Sequence, residues 1–170
     1  HDAVHQRRIK TVEGFVDIMN ARARELGLDD THCVNVHGLD DTPKDNRNLT
    51  TAFDLSVIAR ALMRHKKTLE WSSTRIHPFR GGKFTLYTTN KLLGKFSGLD
   101  GLKTGYTDRA RYCLVATARR GDMRLLSVIM GAPRDSVREA ETRRLLSWGF
   151  NNFSRVPLAE VGEQVGRIVL

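Results

Sequence analysis

One stretch of the sequence, residues 97–107, gathers a cation, hydroxyl groups and glycines closely enough to form a site. Its centre is the tripeptide Lys103-Thr104-Gly105. The ammonium group of Lys103 and the hydroxyl group of Thr104 can bind a carboxylate by charge and hydrogen bonding. Gly105 lacks a side chain, so a ligand can lie against the backbone there. In most proteins such a tripeptide is only an ordinary turn that enters a strand, so the surrounding elements must decide between the two interpretations.

The first part of the chain is predicted to be helical. Residues 11–28 place apolar side chains at helical spacing on one face, and Gly27 is expected to end the helix. Residues 31–36 favour a short strand, and residues 37–48 favour a turn followed by a polar surface loop.

A second helix is predicted to begin at Thr51. Thr51 and Asp54 have the form of a capping box in which Asp replaces the usual Glu or Gln, and a buried apolar stripe continues to about Arg64. Residues 66–73 are predicted to form a linker.

Two pairs of segments are then predicted to form β-strands. Residues 75–80 and 83–88 flank Gly81-Gly82, which is typical of a two-residue hairpin turn because glycine allows a positive φ. Residues 112–119 and 123–131 predict two adjacent antiparallel strands.

The last helix is expected to begin at Asp135 or Ser136 and to pack on the sheet. Ser136 and Glu139 have the form of a capping box. The apolar side chains of this last helix are Leu145, Leu146, Trp148, Phe150 and Phe153.

Residues 157–170 carry apolar side chains and glycines that suggest the start of a further β-rich unit.

The composition indicates one globular domain. Of the 170 residues, 40% are hydrophobic and 28% charged, which is sufficient for one sizeable core. The formal net charge is +9, but the basic residues are spread along the chain, so we expect no nucleic-acid partner. Nucleic-acid binding would require a strongly salt-dependent affinity, and an anionic membrane or cell wall suits the same charge.

The cysteines and histidines predict neither a disulfide framework nor a metal site. Cys33 and Cys113 lie far apart without C-x-x-C spacing, and we expect buried free thiols. His32 and His37 are separated by five positions, which is not a metal-ligand spacing, and no cofactor is expected. No apolar run is long enough to span a membrane, and residues 1–10 lack the apolar segment of a signal peptide.

Several motifs occur in an order that is far more specific than the central tripeptide. Together they resemble the serine D-alanyl-D-alanine carboxypeptidases, which are the low-molecular-mass penicillin-binding proteins. The resemblance covers roughly residues 11–153. The motifs are Phe15-Val16-x-x-Met19-Asn20, Leu26-Gly27-Leu28-x-x-Thr31-His32, His37-Gly38-Leu39-Asp40, Thr51-Ala52-x-Asp54-Leu55, Asn90-Lys91-Leu92-Leu93, residues 100–108, residues 112–118 and Arg138-Glu139-Ala140-Glu141.

The resemblance implies a fold and an activity. The fold is α+β of mixed α/β type, part of a β-lactamase/transpeptidase-like domain in which helices pack on an antiparallel sheet. The activity is removal of the terminal D-Ala from peptidoglycan stem pentapeptides through an acyl-serine intermediate, without a cofactor, in an exported or periplasmic protein that β-lactams also bind.

The resemblance also implies roles for individual residues. Lys103 would maintain the electrostatics of the acylation site, and Thr104 beside Gly105 would bind the substrate carboxylate. The backbone N–H of Tyr106 would be an oxyanion donor. Arg138 matches the family arginine that helps to bind the carboxylate, although a solvated helix residue is the plainer interpretation without the resemblance. His37 is expected to border the site.

The sequence departs from the family in two ways. No serine is followed three residues later by lysine, and no S-x-N element precedes the K-T-G motif, so we expect no nucleophile or base in this chain. Arg111 stands where the family usually has a glycine, at a position that often requires one because of φ or a close approach.

These departures predict an organisation and leave alternatives open. Residues 1–10 form a non-matching polar leader, residues 11–155 an incomplete transpeptidase-like domain, and residues 156–170 the start of a truncated β-rich unit. The chain is expected to be inactive alone and to form a homodimer or exchange a strand, and the full protein to associate with a membrane surface. The alternative is a non-catalytic binding or structural remnant of the fold.

Overall fold

The computed structural model describes residues 11–40 and 46–156, which form helices, a hairpin and a three-stranded sheet. In chain order the elements are α1 (Val12–Glu25), α2 (Ala52–Leu62), α3 (Lys66–Ser72), β1 (Ile76–Phe79), β2 (Phe84–Tyr87), β3 (Leu99–Thr107), β4 (Arg111–Arg120), β5 (Met123–Ala132) and α4 (Asp135–Asn152).

The central sheet has the order β3-β4-β5 with antiparallel neighbours, and α4 packs on it. The predicted α+β class and the predicted antiparallel strand pair are therefore confirmed. Alternate residues of β4 point to one face, and Leu114, Ala116 and Ala118 are buried there. They form a core with Leu146 of α4 and with residues from the segment that leads into β3, namely Leu92, Leu93, Phe96 and Leu99.

The helix α4 contacts the sheet through only part of its apolar content. Leu146 is buried and Phe150 packs against the core, whereas Trp148 and Phe153 are exposed and lie edge to face at 5.2 Å. The guanidinium group of Arg120 lies over the rings of Phe96 and Phe150, at 4.9 and 4.3 Å, and covers this edge of the core.

The predicted starts of the first two helices are confirmed. The side chains of Thr11 and Thr51 accept hydrogen bonds from the backbone N–H of Gly14 and Asp54, at 3.0 and 3.1 Å. Asp54 is buried and accepts a hydrogen bond from the Thr31 hydroxyl at 2.6 Å, so it ties the helix to the preceding loop.

Several local predictions are wrong. Residues 31–36 form no strand, only a bridge between His32 and Leu49, because side chains of nearby asparagines take the neighbouring backbone groups. The predicted linker at 66–73 is α3. The capping box at Ser136 is absent, since Arg134 is the N-cap and makes no side-chain capping bond.

The hairpin and the central stretch also differ from expectation. Phe79 pairs with Phe84, so the β1–β2 loop has four residues rather than two, and Arg80 joins the two glycines at positive φ. Lys103-Thr104-Gly105 lies inside β3, a strand that was not predicted, and directly before the antiparallel pair of β4 and β5, so its interpretation as an ordinary turn is wrong. Cys33 and Cys113 are free but only partly buried.

Some predictions lie outside the described residues. These are the polar leader at 1–10, most of the loop at 42–48 and the unit expected at 157–170, so the proposed domain organisation stays a prediction. Among the helices of the described residues, none is both long and apolar enough to cross a bilayer.

Candidate active site

The strand β3 forms one wall of a cleft of about 840 Å³. The cleft brings together elements that are distant in sequence: the loop at 37–40, the start of α2, strands β3 to β5 and the first turn of α4. All six residues predicted to take part in the site line it, namely His37, Lys103, Thr104, Gly105, Tyr106 and Arg138.

Thr104 is fixed by a hydrogen bond that the sequence does not indicate. Thr104 is only 9% exposed, and its hydroxyl lies 2.6 Å from the hydroxyl of Thr89, which also lines the cleft. A hydroxyl donates one proton and can accept others. The pair can therefore orient the Thr104 hydroxyl toward or away from a ligand in the cleft.

Lys103 contributes an exposed positive charge. Its ammonium group donates a hydrogen bond to the carbonyl oxygen of Thr104. Two of the three ammonium protons are left for other acceptors, because this bond uses one. Lys103 thus brings a cation to the same strand edge as the Thr104 hydroxyl.

Gly105 leaves open space beside the strand. A Cβ atom built at this position would meet only the Cβ of Cys113, at 3.9 Å, which is ordinary contact. The fold around Gly105 therefore does not itself require glycine there. The open space agrees with a position where a ligand approaches the backbone.

Aromatic rings connect β3 with α4. The rings of Tyr106 and Tyr112 are 4.4 Å apart, and the Arg138 guanidinium carbon lies 5.8 Å from the centre of the Tyr112 ring. The Tyr106 hydroxyl donates to Asp108 at 2.9 Å, which raises the pKa of Tyr106. Tyr112 thus forms a packed contact between the strand and the arginine.

Arg138 is a buried cation, so it is not a solvated helix residue. It is 5% exposed, its Nε has no hydrogen-bond partner among the described residues, and Glu139 lies 3.8 Å away. A buried charge with incomplete pairing is costly unless a partner satisfies it. An anionic ligand group in the cleft would be such a partner.

An ion pair stands next to Arg138 at the start of α4. The ammonium group of Lys91 donates to Asp135, which lowers the pKa of the Asp135 carboxyl and raises that of Lys91. The backbone N–H of Ser136 also donates to Asp135, at 2.8 Å. Lys91 therefore offsets the negative charge that Asp135 brings to the side of the cleft where Arg138 lies.

The loop that carries His37 is held by side-chain amides. Asn35 is buried. Its side-chain Oδ1 accepts hydrogen bonds from the backbone N–H of Gly38 at 2.8 Å and from the side-chain amide of Asn48 at 2.9 Å. Asp40 accepts a hydrogen bond from Thr107, which lowers the pKa of Asp40, and another from the backbone of Arg109 at 3.2 Å. These bonds fix the loop against the β3–β4 turn.

The cleft gathers cations and hydroxyl groups of the kind that bind anions. Among the described residues that line the cleft there is no serine. Within residues 11–40 and 46–156, no three His, Cys, Asp or Glu side chains group closely enough to hold a metal ion. The cations of Lys103 and Arg138 and the hydroxyl of Thr104, which line one cleft, are groups of the kind that bind carboxylates.

A comparison with protein-family models decides the relationship. Residues 10–134 match the model of peptidase family S11, D-alanyl-D-alanine carboxypeptidase. The chain belongs to this family. The resemblance seen in the sequence motifs is thereby confirmed.

Two curated members of the family illustrate the extent of the match. The chain is 33% identical over 159 residues to the D-alanyl-D-alanine carboxypeptidase DacF of Bacillus subtilis, covering 92% of this chain and 40% of the relative. It is 39% identical over 153 residues to DacA of Escherichia coli, covering 89% and 37%. The chain therefore spans about two fifths of the length of these relatives.

Solved structures of the family share the fold. The chain superposes on penicillin binding protein 5 from Haemophilus influenzae with a TM-score of 0.82 and 34% identity, covering 96% of this chain and 46% of the other. Penicillin-Binding Protein D2 from Listeria monocytogenes, in its ampicillin-bound form, gives a TM-score of 0.73 and 36% identity, covering 80% and 55%.

Sequence reasoning missed three residues of this cleft: Thr89, Tyr112 as a contact of Arg138, and Asp135 as the partner of Lys91. Thr89 precedes Thr104 by 15 positions, and no helical or strand periodicity relates them. Only the fold brings these side chains together. The motif Asn90-Lys91-Leu92-Leu93 was the one available signal that this segment adjoins the site.

Proposed function

We propose that the chain supplies the carboxylate-binding wall of a serine-type D-alanyl-D-alanine carboxypeptidase site. The observation that carries the proposal is the buried guanidinium of Arg138, which lines the same cleft as Thr104 and Lys103. The substrate would be the D-Ala-D-Ala end of a peptidoglycan stem pentapeptide. Its terminal carboxylate would lie between Arg138 and the Thr104 hydroxyl.

The reaction in this proposal divides the roles between residues here and residues of the S-x-x-K element. The serine Oγ would attack the penultimate D-Ala carbonyl carbon, and the lysine of that element would take the hydroxyl proton. The backbone N–H of Tyr106 would stabilise the oxyanion. The C–N bond would break, the terminal D-Ala would leave with a proton on its amine, and water would hydrolyse the acyl-serine ester.

The same site would bind β-lactams, whose carboxylate would occupy the position of the substrate carboxylate. Ampicillin is bound in the D2 protein of Listeria monocytogenes, to which this chain is similar. Lys103 would contribute to the electrostatics of acylation, and His37 would border the ligand. We also place the complete protein in the cell envelope, as an exported protein in contact with a membrane surface, because its substrate is extracytoplasmic.

The inactivity of the isolated chain is part of the proposal. None of its eight serines is followed three residues later by lysine: Ser56, Ser72, Ser73, Ser97, Ser127, Ser136, Ser147 and Ser154. Fluorescent penicillin should therefore not label the purified 170-residue chain. A labelled band that maps to any of these serines would contradict the assignment.

A binding measurement tests the carboxylate wall without requiring catalysis. D-alanyl-D-alanine should shift amide resonances of β3 and of the start of α4 in an NMR titration. The C-terminal amide of the same dipeptide is the matched ligand control, since it lacks the carboxylate. Arg138→Met should weaken binding by about tenfold or more, because a charge-assisted hydrogen bond contributes about 1.5–3 kcal/mol. Equal binding of acid and amide would refute the assignment.

The second candidate is a non-catalytic binding or structural form of the same fold. The absence of S-x-x-K from the sequence and of serine from the described cleft lining favours it. The two candidates differ in the genomic reading frame. A frame that continues upstream through a signal peptide, S-x-x-K and S-x-N supports the enzyme, and a frame without them supports the binding form.

A further inference from the structure

We propose that the β1–β2 hairpin is a docking surface for an anionic lipid bilayer. All eight residues of its two strands are exposed. Five of them are large hydrophobic residues with 47% to 71% of their surface exposed, namely Ile76, Phe79, Phe84, Leu86 and Tyr87. The inference does not depend on the carboxypeptidase chemistry.

The hairpin is apolar on both faces. Side chains of paired residues in an antiparallel hairpin lie on the same face, and successive pairs alternate. Ile76 and Tyr87 therefore share one face, and Phe79 and Phe84 share the other with Leu86. A two-stranded hairpin alone is at best marginally stable in water, so a surface that buries these side chains would stabilise it.

The charge of the segment is entirely positive. Residues 71–99 contain no Asp or Glu, whereas Arg75, Arg80 and Lys83 stand on or beside the hairpin. Within the described part of the chain, no carboxylate lies within ion-pair distance of these three cations. A partner that neutralises them must bring negative charge.

The tip of the hairpin combines both properties. The guanidinium carbon of Arg80 lies 5.7 Å from the centre of the Phe79 ring and 5.9 Å from that of Phe84. Long basic side chains beside apolar residues can keep their charge at lipid headgroups while the apolar groups enter the acyl boundary. Trp71, at the end of α3, adds an exposed aromatic side chain of the kind found at membrane interfaces.

An anionic bilayer fits these observations better than the other occupants. Aliphatic side chains such as Ile76 and Leu86 offer no stacking surface to nucleic-acid bases, whereas hydrocarbon accommodates them together with the aromatic rings. A second copy of the hairpin would bring three like charges against three. A bilayer of anionic lipid supplies both an apolar phase and the opposite charge.

Docking there would hold the cleft near the membrane surface. The backbone N–H of Thr88 donates to the carbonyl oxygen of Arg75 at 2.9 Å, which closes the base of the hairpin. The next residue, Thr89, already lines the cleft.

The test is sedimentation of the purified 170-residue chain with phosphatidylcholine vesicles, with or without phosphatidylglycerol. Binding should require phosphatidylglycerol and weaken as salt is added. The substitutions Arg80→Gln and Lys83→Gln each remove one positive charge, and each should reduce the vesicle partition coefficient about fivefold. The pair Phe79→Ser and Phe84→Ser should reduce it at least about tenfold.

The matched control removes two exposed aromatic residues elsewhere, by Phe53→Ser and Phe153→Ser, and should leave vesicle binding unchanged. Equal binding to both kinds of vesicle, or an equal loss in the control, would overturn the proposal. It would also be overturned if the chain ignored vesicles but bound single-stranded DNA, or if the hairpin substitutions only converted a dimer to a monomer in light scattering. If the variants Phe79→Ser and Phe84→Ser fail to fold, Arg80→Gln and Lys83→Gln still test the proposal, because they keep the apolar residues of the hairpin.

Discussion

At the scale of single residues, the hydroxyl pair of Thr89 and Thr104 is the contact most open to test. Thr89→Val keeps the shape of the side chain but leaves the Thr104 hydroxyl without its partner at 2.6 Å. Loss of such a hydrogen bond should lower the free energy of unfolding by about 1 kcal/mol. Urea denaturation of the two proteins measures the difference.

The control for this prediction is Thr89→Ser, which retains the hydroxyl and should stay within about 0.5 kcal/mol of the original protein. If Thr89→Ser and Thr89→Val were equally destabilised, the methyl group and not the hydrogen bond would be the source of the effect.

Residue-level prediction worked where the signal was local. Arg111 was singled out because the family usually has glycine there, and its φ is indeed 59°. A non-glycine residue in this region costs roughly 1–2 kcal/mol, which explains why glycine suits the position. Thr89 could not be found in this way, because its partner is remote in sequence and belongs to another element.

At the scale of elements, Gly98 controls the entry into β3. Its φ is 80°, and a Cβ atom at this position would lie 2.1 Å from the carbonyl oxygen of Arg119. Gly98 also accepts a hydrogen bond from the Arg119 backbone at 2.8 Å. Gly98→Ala should therefore separate the start of β3 from β4 and destabilise the protein by about 4 kcal/mol or more.

Gly121→Ala is the matched control, because Gly121 has a φ of 58° but no atom within 4 Å of the added Cβ. It should cost only the backbone strain, about 1–2 kcal/mol. Thermal denaturation followed by circular dichroism compares the two. Equal losses of stability would mean that φ alone, and not the contact with Arg119, makes glycine necessary at position 98.

Elements with a clear periodicity were predicted, and those defined by tertiary contacts were not. The apolar spacing of α2 and the aliphatic runs of β4 and β5 were sufficient to predict these three elements. The strand β3 was missed because Lys103, Thr104 and two glycines at 101 and 105 interrupt any alternation of apolar and polar residues. The short helix α3 was missed because its N-cap, His65, makes no capping hydrogen bond.

At the scale of the whole molecule, large apolar side chains are exposed on several of the described elements. The first two helices carry exposed large hydrophobic residues: Val12 and Phe15 on α1, and Phe53 and Leu62 on α2. Within the described residues, β3 and β5 are the edges of the central sheet, so each has backbone groups without a neighbouring strand. Such surfaces and edges favour association.

We therefore expect the 170-residue chain to self-associate in the absence of lipid, by dimerisation or strand exchange along β5. Size-exclusion chromatography with light scattering should show a mass that rises with concentration. Met130→Lys places a charge on an exposed apolar position of β5 and should weaken association by at least about tenfold, because a charge buried against apolar groups is costly. Trp148→Lys makes the same kind of change on α4, away from the strand edge, and should leave the association unchanged. A monomer that unfolds cooperatively at every concentration would show that β5 needs no partner.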